Sequence, residues 1–318
     1  MTPGVLLLGE ALGVVRARDI GSLVTEDRLT LSTGGAELNV AIGLARLGRR
    51  VTWAGRIGDD AVGRRVLRDL NGAGVQTIAE VDAEAPTGLL LKERPAQGRT
   101  RVSYYRSGSA GSRLRPGDVP EGVVEAAELV HVTGITAALS DTALAALLAV
   151  VARAVAAGVP VSFDVNHRPS LWRGRDPLPR YLRVAVAARV VFGGRDELAL
   201  LTGLPEESGA AAFADAVRAI APDVEDVVLK DGAEGATAMT AEVTETRAAV
   251  PVAVVDTVGA GDAFVAGYLS ARLEGVDLGA RLDRAVLVGA AACRHVGDWE
   301  GAPFPVDLLA DGGDPVAR

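Results

Sequence analysis

The sequence predicts an α/β fold in which a mostly parallel sheet is covered by helices on both faces. Three observations point there. Short apolar runs alternate with longer helical patterns along most of the chain. Those runs are continuous rather than alternating, as in Val5-Leu6-Leu7-Leu8 and Val190-Val191-Phe192, which is how a strand reads when both of its faces are buried. Two early stretches, at about 14–33 and 87–106, break the rhythm with strand-like segments and no helix between them.

Taken in order, the first strand is expected at 5–8, a helix at 36–47, a strand at Val51-Thr52-Trp53-Ala54 and a helix at 60–70. Further strands are expected at 129–132, 159–163, 190–192 and 227–229, with helices at 142–156, 177–187, 196–201 and 210–220 between them. Such strand–helix–strand units cross over right-handedly. The two interrupting stretches, the second carrying Leu89-Leu90-Leu91 and Val102-Ser103-Tyr104-Tyr105, are expected as antiparallel insertions. A small sheet of that kind can close over a site as a lid and exclude water. The apolar run 250–255 is expected as a strand that leads through a small-residue turn into a helix over the apolar segment 265–273.

Composition bounds the partners. With 318 residues, 49% of them hydrophobic, the chain has ample side chain for a large core and is not a disordered tail. Acidic residues outnumber basic ones, 41 to 33, which argues against binding a nucleic acid or an anionic membrane surface while leaving room for a local basic pocket. The basic side chains are lopsided: only Lys92 and Lys230 are lysines, and the rest are arginines. Cys293 is the single cysteine and points to a reducing compartment. No apolar stretch reaches the ~20 residues that span a bilayer, and the start of the chain lacks a basic leader. A cytoplasmic location follows as the expectation.

The densest chemical signal is Asp256-Thr257-Val258-Gly259-Ala260-Gly261-Asp262-Ala263-Phe264. Three small residues let backbone N–H groups approach an anion at a helix N-terminus, where the helix dipole also favours negative charge. Asp262 would stand in the first helical turn, close enough to take a proton from a hydroxyl attacking a phosphate. Taken alone, the same string also describes a helix cap and a tight turn. Neither a Gly-Lys-Ser/Thr loop nor a Gly-x-Gly-x-x-Gly after the first strand is present, where Gly9-Glu10-Ala11-Leu12-Gly13 stands instead.

Together with the Gly-Gly-x-x-x-Asn motif Gly34-Gly35-Ala36-Glu37-Leu38-Asn39, that string resembles the ribokinase-like, phosphofructokinase-B-type family of sugar kinases, over nearly the whole chain from Gly9 to about Leu308. The resemblance implies one ribokinase-like kinase domain over 1–318, a three-layer sandwich whose two insertions form the lid. It implies ATP and Mg²⁺ as cofactors, with room for a monovalent cation near Asp256. Asp262 becomes the catalytic base, and Gly259, Ala260 and Gly261 the anion hole for the transferred phosphoryl group. On the nucleotide side it points to Asn166, to Lys230, Gly232 and Gly235 in the strand and glycine turn 228–236, and to the small residues of 288–293 as room for adenine. The segment Gly193-Gly194-Arg195-Asp196-Glu197 matches the family's Asn-x-x-Glu in part: Glu197 is kept as an indirect metal residue, while Gly194 replaces the amide.

The strings Tyr104-Tyr105-Arg106-Ser107-Gly108-Ser109 and Asp164-Val165-Asn166-His167-Arg168-Pro169 look like the branch of the family that phosphorylates 2-keto-3-deoxygluconate to its 6-phosphate. Arg106 and Arg168 are then the candidates for the sugar carboxylate, because arginine's planar fork matches a carboxylate. Tyr104 or Tyr105 assists; neighbours in a strand face opposite ways, so one tyrosine at most meets the pocket. Gly34, Gly35 and Asn39 line the sugar, and Asp298 binds its hydroxyls. Leu90 stands where the branch usually has a tyrosine. The resemblance also implies a homo-oligomer through the lid strands, which would cover their edges. The rival readings are a fructokinase, ribokinase or nucleoside kinase of the same fold, and a catalytically silent sugar-binding protein.

Overall fold

The computed structural model describes residues 4–18, 22–96 and 99–309, with the side chains of 94–100 and 309 left aside. Residues 19–21 and 97–98 of the two expected insertions, and the two chain ends of the expected 1–318 domain, lie outside the described residues. In chain order the strands are β1 (Val5–Leu8), β2 (Leu12–Ala17), β3 (Leu29–Gly34), β4 (Val51–Gly58), β5 (Gln76–Asp82), β6 (Gly88–Ala96), β7 (Arg99–Tyr105), β8 (Leu129–Thr133), β9 (Val161–Asp164), β10 (Val190–Gly194), β11 (Asp226–Lys230), β12 (Ala236–Met239) and β13 (Thr244–Arg247). The helices are α1 (Ala36–Arg46), α2 (Ala61–Gly72), α3 (Gly134–Leu139), α4 (Asp141–Ala156), α5 (Pro169–Trp172), α6 (Leu178–Ala185), α7 (Arg195–Thr202), α8 (Ala210–Ile220), α9 (Ala260–Leu273), α10 (Leu278–Cys293) and α11 (Pro305–Leu309).

Nine strands form the large sheet in the order β13-β12-β11-β10-β9-β8-β1-β4-β5. Pairing is parallel from β11 to β5 and antiparallel only at the β11-β12-β13 end. Alternate residues of each strand enter different cores, which is why the strands read as unbroken apolar runs. Leu6 and Leu8 of β1 join Phe163, Leu147 and Phe213 on one face, whereas Val5 and Leu7 join Leu38, Val265 and Leu282 on the other. The fold is thus the mixed α/β arrangement that the sequence predicts. Among the described residues, no helix is long and apolar enough to cross a membrane.

The second sheet has four strands in the order β3-β2-β6-β7. Its hairpins β2-β3 and β6-β7 are antiparallel, but β2 and β6, which join them, run parallel. The register sets its two faces: Val14 pairs with Leu90, Leu90 with Tyr104, and Lys92 with Val102, so these five side chains share one face. Leu12, Val14 and Leu90 pack together there, with Val102 against them.

One sequence expectation fails. The run 250–255 is not a strand but an irregular segment in which Val254 and Val255 are exposed. Pro251 cannot donate to a sheet ladder, and the apolar side chains line a cavity instead.

Candidate active site

The parallel strands of the large sheet end in a row of loops, the usual place for a ligand in an open α/β sheet. Opposite them lies the turn before α9. Gly259 is the N-cap of α9, with φ +76°, and a Cβ there would stand 1.8 Å from the carbonyl oxygen of Asp298. Only glycine fits such a position. No side chain caps α9; Ala260 N donates to the Thr257 carbonyl oxygen at 3.3 Å, and the other N–H groups of the first turn are left for an anion. A Cβ added to Gly261 would meet nothing within 4 Å, so the turn opens onto free space.

Asp262 sits in that first turn and is buried. Two amides hold it: Asn39 Nδ2 donates to Oδ2 at 2.7 Å, and Asn166 Nδ2 donates to Oδ1 at 3.3 Å. Burial pushes its carboxyl up to about 6, against the Asn39 hydrogen bond and the Arg168 charge, which favour the ionised form. A carboxylate tuned that way is charged at neutral pH yet able to accept a proton.

The Gly34-Gly35 pair brings Asn39 there. Gly35 caps α1 at φ +143°, and a Cβ would lie 2.4 Å from the Glu10 carbonyl oxygen. At Gly34 a Cβ would meet Asp298 Oδ2 at 2.5 Å, so Asp298 is pressed against both glycine motifs. Burial pushes the Asp298 carboxyl up to about 7, opposed by the Lys92 charge. Asn39 Oδ1, Asn166 Oδ1 and Asp298 Oδ1 are all buried without a hydrogen-bond partner. Buried acceptors are rarely left so, and three around one carboxylate make a receptor for hydroxyl donors. Behind them, Glu37 accepts from Thr133 and Thr136, and burial pushes it up to about 7.

A cavity of about 600 Å³ adjoins the turn, lined by Lys230, Gly232 and Gly235 on one side and by Thr257, Ala260, Gly261, Gly289 and Cys293 on the other. Gly232 and Gly235 both have positive φ, +55° and +113°. Lys230 does not project freely into it. Its ammonium bonds both oxygens of Asp164, at 2.7 and 2.8 Å. Glu197 spends both oxygens on backbone, accepting from His167 N at 2.7 Å and Gly194 N at 2.8 Å, and so ties the end of β10 to the loop after β9. Among the described residues, no group of three or more His, Cys, Asp or Glu side chains could hold a metal ion.

The small sheet contributes differently. Tyr104 shares the face of Leu90 and Lys92 and stacks on the Arg106 guanidinium, 4.9 Å from ring centre to Cζ. Tyr105 points the other way and is 63% exposed. Arg106 is buried, with Nε and Nη2 both donating to Glu10 Oε2. Arg168, in contrast, is exposed just before α5, bonded only to the neighbouring His167 carbonyl oxygen in the contacts described. The structure therefore gathers Gly34, Gly35, Asn39, Asn166, Asp262, Asp298 and the 259–261 turn into one place, leaves Tyr105 outside it, and gives Arg106 an internal partner.

Several residues of this neighbourhood carried no sequence signal of their own: Glu10, Glu37, Asp164 and Lys92. Asp256, near which the sequence left room for a monovalent cation, accepts from the Lys92 ammonium. The one clue available was composition, since the only two lysines of the chain both prove to be paired with an aspartate here.

Comparison with known proteins bears on the family and the fold. The profile of the pfkB family carbohydrate kinases matches residues 3–304. The chain is 35% identical over 299 residues to the 2-dehydro-3-deoxygluconokinase of Bacillus subtilis, covering 93% of this chain and 91% of the relative. It is 36% identical over 306 residues to the enzyme of the same name from Thermoproteus tenax, covering 94% and 90%. Among solved structures, a PfkB protein from Polaromonas sp. JS666 superposes with a TM-score of 0.86 at 34% identity, covering 97% of this chain and all of that one.

Proposed function

This chain belongs to the pfkB family of carbohydrate kinases, and from that premise we propose that it transfers the terminal phosphoryl group of ATP to the C6 hydroxyl of 2-keto-3-deoxygluconate, which is 2-dehydro-3-deoxygluconate. The observation that carries the proposal is Asp262: a buried carboxylate near pKa 6, held by two amides, beside a glycine turn that opens onto a cavity. The names of the 35–36% identical relatives support the substrate.

The cavity suits a nucleotide: Gly and Ala are prominent in its lining, and the first turn of α9 stands at its edge. ATP would supply the phosphoryl group, and Mg²⁺, held mainly by the phosphates and water, would neutralise their charge. Asp262 accepts the proton of the C6 hydroxyl, whose oxygen bonds to phosphorus as the bond to ADP breaks. The N–H groups of 259–261 receive the charge on the equatorial oxygens. Asn39 and Asn166 hold the base in place, and their orphaned carbonyls, with Asp298, take the sugar hydroxyls.

Arg168 is the carboxylate reader, since its guanidinium is exposed beside Asp262. Arg106 assists through its Nη1 arm and by holding Tyr104. The small sheet serves as the lid. Its outer face, with Leu29, Leu31 and Tyr105 exposed, supports a homo-oligomer formed through that sheet. Side-by-side turnover decides the substrate: 2-keto-3-deoxygluconate should exceed fructose and ribose in kcat/KM, and equal or faster turnover of either neutral sugar would overturn the assignment.

A further inference from the structure

This chain meets nearly every need for positive charge with arginine, yet both lysines stand beside the candidate site, each paired with an aspartate, Lys92 buried and Lys230 partly so. Lys230 closes on Asp164 within the large sheet. Lys92 has a longer reach: it starts from β6 of the small sheet and bonds Asp256, in the loop before the anion-binding turn. The lysine side chain is 2% exposed and the aspartate 4%. A compact ammonium suits such a spot, where an arginine's planar fork would need more room.

Asp256 is a junction. Its Oδ1 accepts from Val258 N at 3.3 Å and its Oδ2 from Gly297 N at 3.4 Å. Val258 precedes Gly259, and Gly297 precedes Asp298, whose carbonyl oxygen is packed against Gly259. One carboxylate thus fixes both walls around the turn. A buried carboxylate needs a cation, and a dissolved monovalent ion or a covalently attached ammonium can each supply it.

We propose that Lys92 is a positioning residue whose ammonium acts as a built-in monovalent cation for the phosphate-binding turn, so that the turn is ordered without dissolved potassium or ammonium. The inference rests on the proposed phosphoryl transfer for its kinetic consequence, while its structural consequence can be read without any sugar. Because the cation is carried by the small sheet, order in the turn is also tied to where that sheet sits.

The test pairs thermal unfolding with kinetics in ammonium, potassium and choline chloride at equal ionic strength. The wild type should show the same midpoint and the same kcat in all three. Lys92→Ala should lose kcat by up to about 100-fold, the scale of a misplaced reacting group, with both KM values little changed. Ammonium or potassium, but not choline, should raise its midpoint and restore part of its kcat by filling the space beside Asp256. Lys92→Met, which keeps the apolar stem, serves if the alanine variant does not fold. An equal response of the variant to all three salts, or to none, would overturn the proposal, as would a wild type that needs potassium. If the wild type turns over no 2-keto-3-deoxygluconate, the substrate assignment fails by itself, and the sugar-free midpoint shift still decides the role of Lys92.

Discussion

The two sides of the candidate site solve opposite electrostatic problems. On the large-sheet side, Asp262, Asp298 and Glu37 are buried with too little positive charge, and burial holds all three well above the usual carboxylate range. On the small-sheet side, Lys92 and Arg106 project from one face of β6 and the end of β7, and each is clasped by a carboxylate of the body, Asp256 or Glu10. The small sheet is therefore fastened by its cations, while the chemistry stays with acids and amides of the main core. On the proposed function, a charged substrate is read by whichever cation the fastening leaves over, the part we assign to Arg168.

The contrast breaks most severely if the acid side is altered. Asp262→Asn should lower kcat by ~10²-fold or more, the usual contribution of a positioned base, while the thermal midpoint holds or rises. The sign follows from the shift: the folded carboxyl titrates near 6 rather than at the ordinary 3.8, so the native state is destabilised as pH rises through that window, and the amide removes this cost. An Asn variant within threefold of wild type by steady-state assay would remove Asp262 from the mechanism. Gly259→Ala should also lose on the order of 100-fold, as for a spoiled anion hole, but with a lower midpoint, because its Cβ collides with the Asp298 carbonyl.

Next in size is the cation side. Arg168→Ala should lower kcat/KM for the acid sugar roughly 10- to 100-fold, the worth of a charge-assisted hydrogen bond, and leave residual turnover of a neutral sugar unchanged. A loss shared equally by both sugars would return the carboxylate to Arg106. Below the Asp262 transition, kcat/KM should fall about tenfold per pH unit as the base takes up its proton, with the break near pH 6. A flat profile down to pH 5 would exclude a base of that pKa.

How much of this could be read from sequence follows the range of the interactions. The doubly buried strands announce themselves, because each residue of β1 or β10 meets an apolar core whichever way it points. The 256–264 string is legible because its chemistry is local: a turn, a cap and a base within seven residues. The edge strands β5 and β13 pass unnoticed, since Gln76–Asp82 and Thr244–Arg247 are mostly polar and half-exposed. The 250–255 run misleads because a cavity wall and a buried strand draw on the same residues. The clasps Lys92–Asp256 and Arg106–Glu10 join positions 164 and 96 residues apart, and no periodicity reports a pairing at that distance.

The smallest effect tests the alternation of the small sheet itself. Tyr104 and Tyr105 are adjacent and chemically identical, yet Leu90 opposite the first is buried, and Tyr105 is 63% exposed. If the inner face is the one that meets the sugar, Tyr104→Phe removes a hydroxyl that touches substrate and should raise its KM by about threefold to tenfold, the worth of one hydrogen bond. Tyr105→Phe should leave KM and kcat unchanged. Steady-state kinetics of the two variants would show the reverse order only if β7 were shifted by one residue against β6, since a single-residue slip exchanges the two faces of a strand. Arg106, which follows directly on β7, would then also turn outward and lose Glu10. The tyrosine pair thus measures, by a modest change in KM, the register on which the Arg106–Glu10 clasp depends.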